Sequence, residues 1–207
     1  MTAAPWLLGM WAEAPSGLAA DATALARKAS DMPGLMRVSP FSQVPNGGGA
    51  MVLCELADAA AASALRSRLP VALAPSPENP ALLATSAPTI QTHTLRVAHA
   101  PRHSGDLQDA AYVLSVRLYV PDTWREEVRQ WLDEEHYRAQ ITVPGCRWYH
   151  GYEPTDGRFN FLNLWGLDSP EVIDQPEWAI ARDTPWRERL MPAFADTARS
   201  VYRLLPS

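Results

Sequence analysis

The chain has 207 residues, 47% of them hydrophobic, and a formal net charge of -5. That length buries a full core as one large domain or two small ones. The basic residues are scattered, leaving no footprint for a phosphate backbone or an anionic membrane surface, so nucleic acid and membrane are excluded as expected partners.

The N-terminal stretch 6–12 is apolar but lacks the basic flank and the length of a signal or spanning segment. With Cys54 and Cys146 both inside apolar strand-like runs, a reducing, cytoplasmic setting is expected. The hydrophobic spacing predicts a strand over 6–12, a helix over 18–29, strands over 35–44 and 50–56, a helix over 59–69 and a strand over 90–98. The Pro-rich stretch 70–88 reads as an irregular surface connection. A linker over 101–109, with Pro101, Ser104 and Gly105, separates domain 1–100 from domain 110–207.

In the second domain Tyr112, Leu114, Val116 and Leu118 alternate with Val113, Ser115, Arg117 and Tyr119, the period of a half-buried strand. Asp122 is placed to cap a helix in which Val128, Trp131, Leu132, Glu135 and Ala139 recur at helical spacing. The run Ile141-Thr142-Val143-Pro144 stops it. Aromatic-rich runs over 147–152 and 159–167, joined by turn residues from Pro154 to Gly157, predict an antiparallel hairpin. Ser169-Pro170-Glu171 opens a helical region broken at Pro176 and Pro185, and the last strand is expected over 201–205.

The two halves repeat one another. Pro33-Gly34 returns as Pro144-Gly145, and Leu53 and Leu56 return as Leu164 and Leu167, all at an offset of 144 − 33 = 111. Each half therefore reads as a βαββαβ ferredoxin-like unit. The expected fold is α+β, two tandem ferredoxin-like repeats whose sheets bury each other face to face in a pseudo-symmetric α+β barrel, with a homodimer compatible but not required.

The ordered set formed by Glu135-His136 at a helix end, VPGCRWYHGYE, FNFLNLWGL, SPEVID and TPWRERLMPAF resembles the EthD-like branch of the dimeric α+β barrel proteins, over roughly residues 110–205. The resemblance implies a superfamily of cofactor-free monooxygenases, lactone isomerases, polyketide cyclases, dehydratases and decarboxylases, with heme-binding branches besides. Several of these hold small hydrophobic or aromatic metabolites between the sheet and its helices. No His stands between residues 18 and 33, where the counterpart of His136 would fall, so the first domain reads as scaffold and the second as the site.

His136 is the leading candidate, as an imidazole that exchanges protons near neutral pH; a capping or backbone-bonded histidine is the plain alternative. On the second strand of the hairpin domain, Trp148, His150 and Tyr152 point one way and Arg147 and Tyr149 the other. The first set would give an aromatic wall and a second proton carrier. The second would hold a carboxylate or enolate oxygen. Asn163 and Trp165 on the next strand, and Arg117 on the first, complete the candidate substrate contacts. Arg182, Arg187 and Arg189 read either as a solvated helix face or as an anion site at a pocket mouth. Neither cofactor nor metal is expected, since the chain has no GxGxxG, Walker loop, HExxH, CxxC or nucleophile elbow. The leading expectation is a cofactor-independent lyase or isomerase working by histidine acid/base chemistry on a small aromatic or carbonyl-containing metabolite. A cofactor-free monooxygenase, or a non-catalytic ligand-binding barrel, is the alternative.

Overall fold

The computed structural model describes residues 6–13, 33–45, 49–72, 89–99, 105–194 and 196–206. The helix expected over 18–29 and most of the Pro-rich connection lie outside these residues. The chain divides into two compact units, 1–96 with 202–207, and 97–201.

The first unit holds β1 (Trp6–Glu13), β2 (Leu35–Val44), β3 (Gly49–Leu56), α1 (Ala59–Ala72) and β4 (Thr89–His99), and its sheet runs β4-β1-β3-β2. Its neighbouring strands β1 and β3, β1 and β4, and β2 and β3 are all antiparallel. Leu8, Met10, Val52, Cys54 and Leu56 project from one sheet face onto Ala61, Ala62 and Leu65 of α1. Cys54 is fully buried there, and desolvation pushes its thiol up to about 12, so it packs as a small apolar group.

The second unit repeats this order. It holds β5 (Tyr112–Tyr119), α2 (Asp122–Trp131), a π-helical turn over Leu132–His136, α3 (Tyr137–Gln140), β6 (Cys146–Pro154), β7 (Phe161–Leu167), α4 (Pro176–Arg182), α5 (Pro185–Leu190) and most of β8 (Asp196–Leu204). Its sheet runs β8-β5-β7-β6, with β5–β7 and β6–β7 antiparallel. Both sheets therefore have the strand order of a ferredoxin-like unit, and the chain is α+β.

The two Pro-Gly landmarks explain themselves physically. Gly34 and Gly145 have φ of 79° and 88°, a left-handed conformation that costs a side-chain-bearing residue about 1–2 kcal/mol. A Cβ on Gly34 would also stand 2.6 Å from Ala61 Cβ, and one on Gly145 2.7 Å from Val172 Cγ2. In each unit the glycine carbonyl accepts a hydrogen bond of 2.9 Å from a backbone N–H, that of Ala57 or of Asp168. Glycine, packing partner and hydrogen-bond donor all recur at the same spacing of 145 − 34 = 111 residues.

Two boundaries differ from expectation. The helical region after Ser169 ends by Phe194, and β8 starts at Asp196 rather than at 201. More consequential is the π-turn. A continuous α-helix would bury Glu135 and Ala139; the wider turn advances the buried face by one residue, so His136, Tyr137 and Gln140 are buried instead. Among the described residues no helix is long and apolar enough to cross a membrane.

Candidate functional site

Between the helices and the sheet of the second unit lies a cavity of about 350 Å³, within the size range of small-molecule sites. Leu114, Val116 and Leu118 of β5 and Asn163 and Trp165 of β7 form its floor; they are the alternate residues that share one sheet face. Trp131, Leu132, His136 and Gln140 come from α2 and the segment that continues it, and Trp178 from α4.

His136 is 7% exposed, stacked on Trp131 with ring centroids 4.1 Å apart and set edge-on to Trp165 at 5.8 Å. Desolvation, with a further contribution from the positive charges of Arg187 and Arg182, holds its pKa down to about 3. The imidazole is therefore neutral at physiological pH and is neither a ready base nor a proton donor in its charged form. Its Nδ1, Gln140 Oε1 and Trp165 Nε1 are buried and have no hydrogen-bond partner among the described residues. All three residues line the cavity, and buried polar groups ordinarily find partners.

Asn163 is held from behind. Its Oδ1 accepts hydrogen bonds from Tyr149 at 2.6 Å and Tyr137 at 3.3 Å, and the two tyrosine rings stack at 3.6 Å. Burial raises both phenol pKa values well above the usual range, so both remain donors. Glu135, expected to face the core, instead joins two elements: its Oε1 accepts from Trp131 Nε1 at 3.0 Å and from Thr184 Oγ1. Thr184 also caps α5 by accepting from the Arg187 N–H at 3.2 Å. That cap brings Arg187 to the cavity, where Arg182 and Arg199 join it.

The other expected site residues lie elsewhere. Trp148, His150 and Tyr152 are buried on the opposite sheet face from Tyr149. Trp148 lies over Gly166, whose added Cβ would come within 2.1 Å of the indole. His150 Nε2 donates to the Gly105 carbonyl at 2.9 Å, so this imidazole fastens residue 105 to the sheet and is not a second proton carrier at the cavity. Arg117, also on that face, has its guanidinium 5.3 Å from the Phe159 ring centroid and does not line the cavity. Arg147 is the extra residue of a β-bulge between Cys146 and Trp148; it is exposed and paired with Asp168. Arg189 pairs with Glu127 beside Trp186. Of the expected residues, His136, Asn163 and Trp165 line the cavity, as do Arg182 and Arg187 of the candidate anion cluster, and Tyr149 supports Asn163.

The packing of Trp148 carries a direct expectation. Gly166→Ala should lower the unfolding free energy by about 1–3 kcal/mol through overpacking, with much of the loss recovered in a Trp148→Leu background, as read by urea denaturation. A wild-type midpoint in the single variant would contradict this packing.

No protein-family model matches the chain, and no curated protein matches it in sequence. Solved structures do resemble it. A candidate monooxygenase from Fusobacterium nucleatum subsp. nucleatum superposes with a TM-score of 0.65 at 11% identity, over 100% of this chain and 94% of its own. An anthrone oxidase-like protein gives 0.70 at 13% identity, over 98% and 92%. A Listeria monocytogenes ferredoxin-fold protein related to antibiotic biosynthesis monooxygenases gives 0.56 at 10% identity, over 98% and 96%. Likeness at such identity establishes the ferredoxin-like α+β fold and not the EthD-like branch. It also overturns the expected lyase or isomerase, because these neighbours bear the names of oxygen-using enzymes.

Proposed function

We propose that the chain is a monooxygenase that oxidises a small aromatic carbon acid, of the anthrone type, in the cavity of its second unit. The observation that carries the reading is the juxtaposition of His136, Gln140 and Trp165, each with an unpartnered buried polar atom, among the residues that line one largely apolar cavity. A small rotation of these side chains toward the cavity would let a ligand's carbonyl or hydroxyl oxygen satisfy those atoms. The Trp165 N–H is a donor for an enolate oxygen, and Gln140 Oε1 an acceptor for a substrate hydroxyl.

The chemistry balances with dioxygen as the only co-substrate. The CH2 next to the activating aromatic carbonyl system gives a proton to solvent, the resulting enolate gives its electrons to O2, and the peroxide oxygen so formed takes a proton back. A C–O bond forms to leave a hydroperoxide at that carbon. Loss of water then leaves a new C=O: one oxygen atom enters the product and the other leaves as water. Arg182 and Arg187, the cations that disfavour an imidazolium at His136, favour the anionic enolate by the same field. His136 serves as a neutral hydrogen-bonding partner, while Trp131 and Trp178 keep water from the intermediate.

The test is oxygen uptake with 1,8-dihydroxyanthrone in the presence of a chelator and without added flavin. The expected result is uptake above the spontaneous rate, one O2 per quinone formed, with kcat/KM lowered by about tenfold in Trp165→Phe, the loss of one hydrogen bond to a developing charge. Uptake no faster than the spontaneous rate, or uptake indifferent to Trp165→Phe, would remove the reading.

A further inference from the structure

Three arginines reach the cavity from three separate elements: Arg182 at the end of α4, Arg187 in α5 and Arg199 in β8. No Asp or Glu lines it among the described residues, although the whole chain carries a net charge of -5. One carboxylate, Asp183, answers Arg182 at 2.6 Å and Arg187 at 3.0 Å. Arg199 has no carboxylate within ion-pairing distance among the described residues; Asp174 acts on it only at longer range. Three guanidinium groups on the wall of a largely apolar cavity are thus matched, within ion-pairing distance, by the single carboxylate of Asp183 among the described residues.

A solvated helix face does not account for this arrangement, because the three side chains come from different elements and converge on one cavity. We infer that the substrate is an aromatic acid, its ring system against Trp131, Trp165 and Trp178 and its carboxylate held at the cavity by Arg199 and Arg187. A guanidinium fork matches the planar carboxylate with two parallel hydrogen bonds, and the ring fills a volume that Leu and Trp side chains keep apolar. The inference rests on the oxygenase reading for the site's use, but its recognition chemistry is separable from it.

Calorimetric titration of the full chain with 2-naphthoate and with its uncharged counterpart 2-naphthamide tests the inference. The acid should bind at least about tenfold more tightly than the amide, as one charge-assisted hydrogen-bonded contact warrants. In Arg199→Gln that gap should close while the amide's affinity stays within about twofold of wild type. Arg199 is exposed, so its replacement spares the core, and an unchanged thermal midpoint checks this. Equal binding of acid and amide, no binding of either, or a gap that persists in the Arg187→Gln, Arg199→Gln double variant would overturn the inference. Charge-selective binding without oxygen uptake on 1,8-dihydroxyanthrone removes the oxygenase and leaves the acid site standing; uptake without charge selectivity does the reverse.

Discussion

Acid should unfold the wild-type protein well before it unfolds His136→Gln. The imidazole is buried and uncharged in the native state, with a pKa of about 3, whereas in the unfolded chain it returns to about 6.5. Above pH 6.5 neither state holds the extra proton, and this group gives stability no pH dependence. Between pH 6.5 and 3 the unfolded chain takes up a proton that the native state refuses, so stability falls as pH falls, with a slope approaching about 1.4 kcal/mol per pH unit. Below pH 3 both states are protonated and the slope ends. The wild type should therefore lose about 3 kcal/mol more than His136→Gln between pH 7 and 4. Urea denaturation at stepped pH measures the difference, with the carboxylates common to both proteins cancelling. Parallel stability curves would mean that the imidazole is charged or solvated in the native protein, and the reading of the cavity wall would fail with it.

Much of the fold was legible because its signals are local. Alternation in β5, the turn residues between β6 and β7 and the Pro-Gly pair with its offset of 111 are properties of short stretches, and each recurs in the structure. The candidate site was legible only in part. His136 stood out by residue type, but its burial depends on the π-turn over Leu132–His136, and no periodicity in 128–139 announces the wider turn. The same phase shift brings in Gln140, which a regular helix would have turned away from the cavity. Arg199 was missed because β8 begins earlier than its apolar residues indicate. The choice between the two faces of β6 could not be made from alternation, which fixes that Trp148 and Tyr149 are opposed but not which one meets the helices. Tertiary packing decides it, through Gly105 and Gly166, which leave room for the Trp148 indole.

Asn163→Ala should cost about 2–4 kcal/mol at neutral pH, more than a surface amide could explain. Its Oδ1 is the acceptor for the buried Tyr149 hydroxyl at 2.6 Å and a second acceptor contact for Tyr137 at 3.3 Å. Raised phenol pKa values rule out ionisation as relief, since a buried phenolate is less favourable still. Truncation removes the acceptor and enlarges the neighbouring cavity. Part of the cost should vanish when Tyr149 is Phe, because the stranded donor is then gone. The double-mutant cycle of Asn163→Ala with Tyr149→Phe should give a coupling of about 1–2 kcal/mol, within the range for residues in one hydrogen-bond network. Strict additivity would mean that the amide acts only as filler. The coupling matters for the site: a side chain fixed by two phenols holds its amide at a set position on the cavity floor, and a substrate oxygen placed against Trp165 on the same sheet face would meet that wall in one orientation.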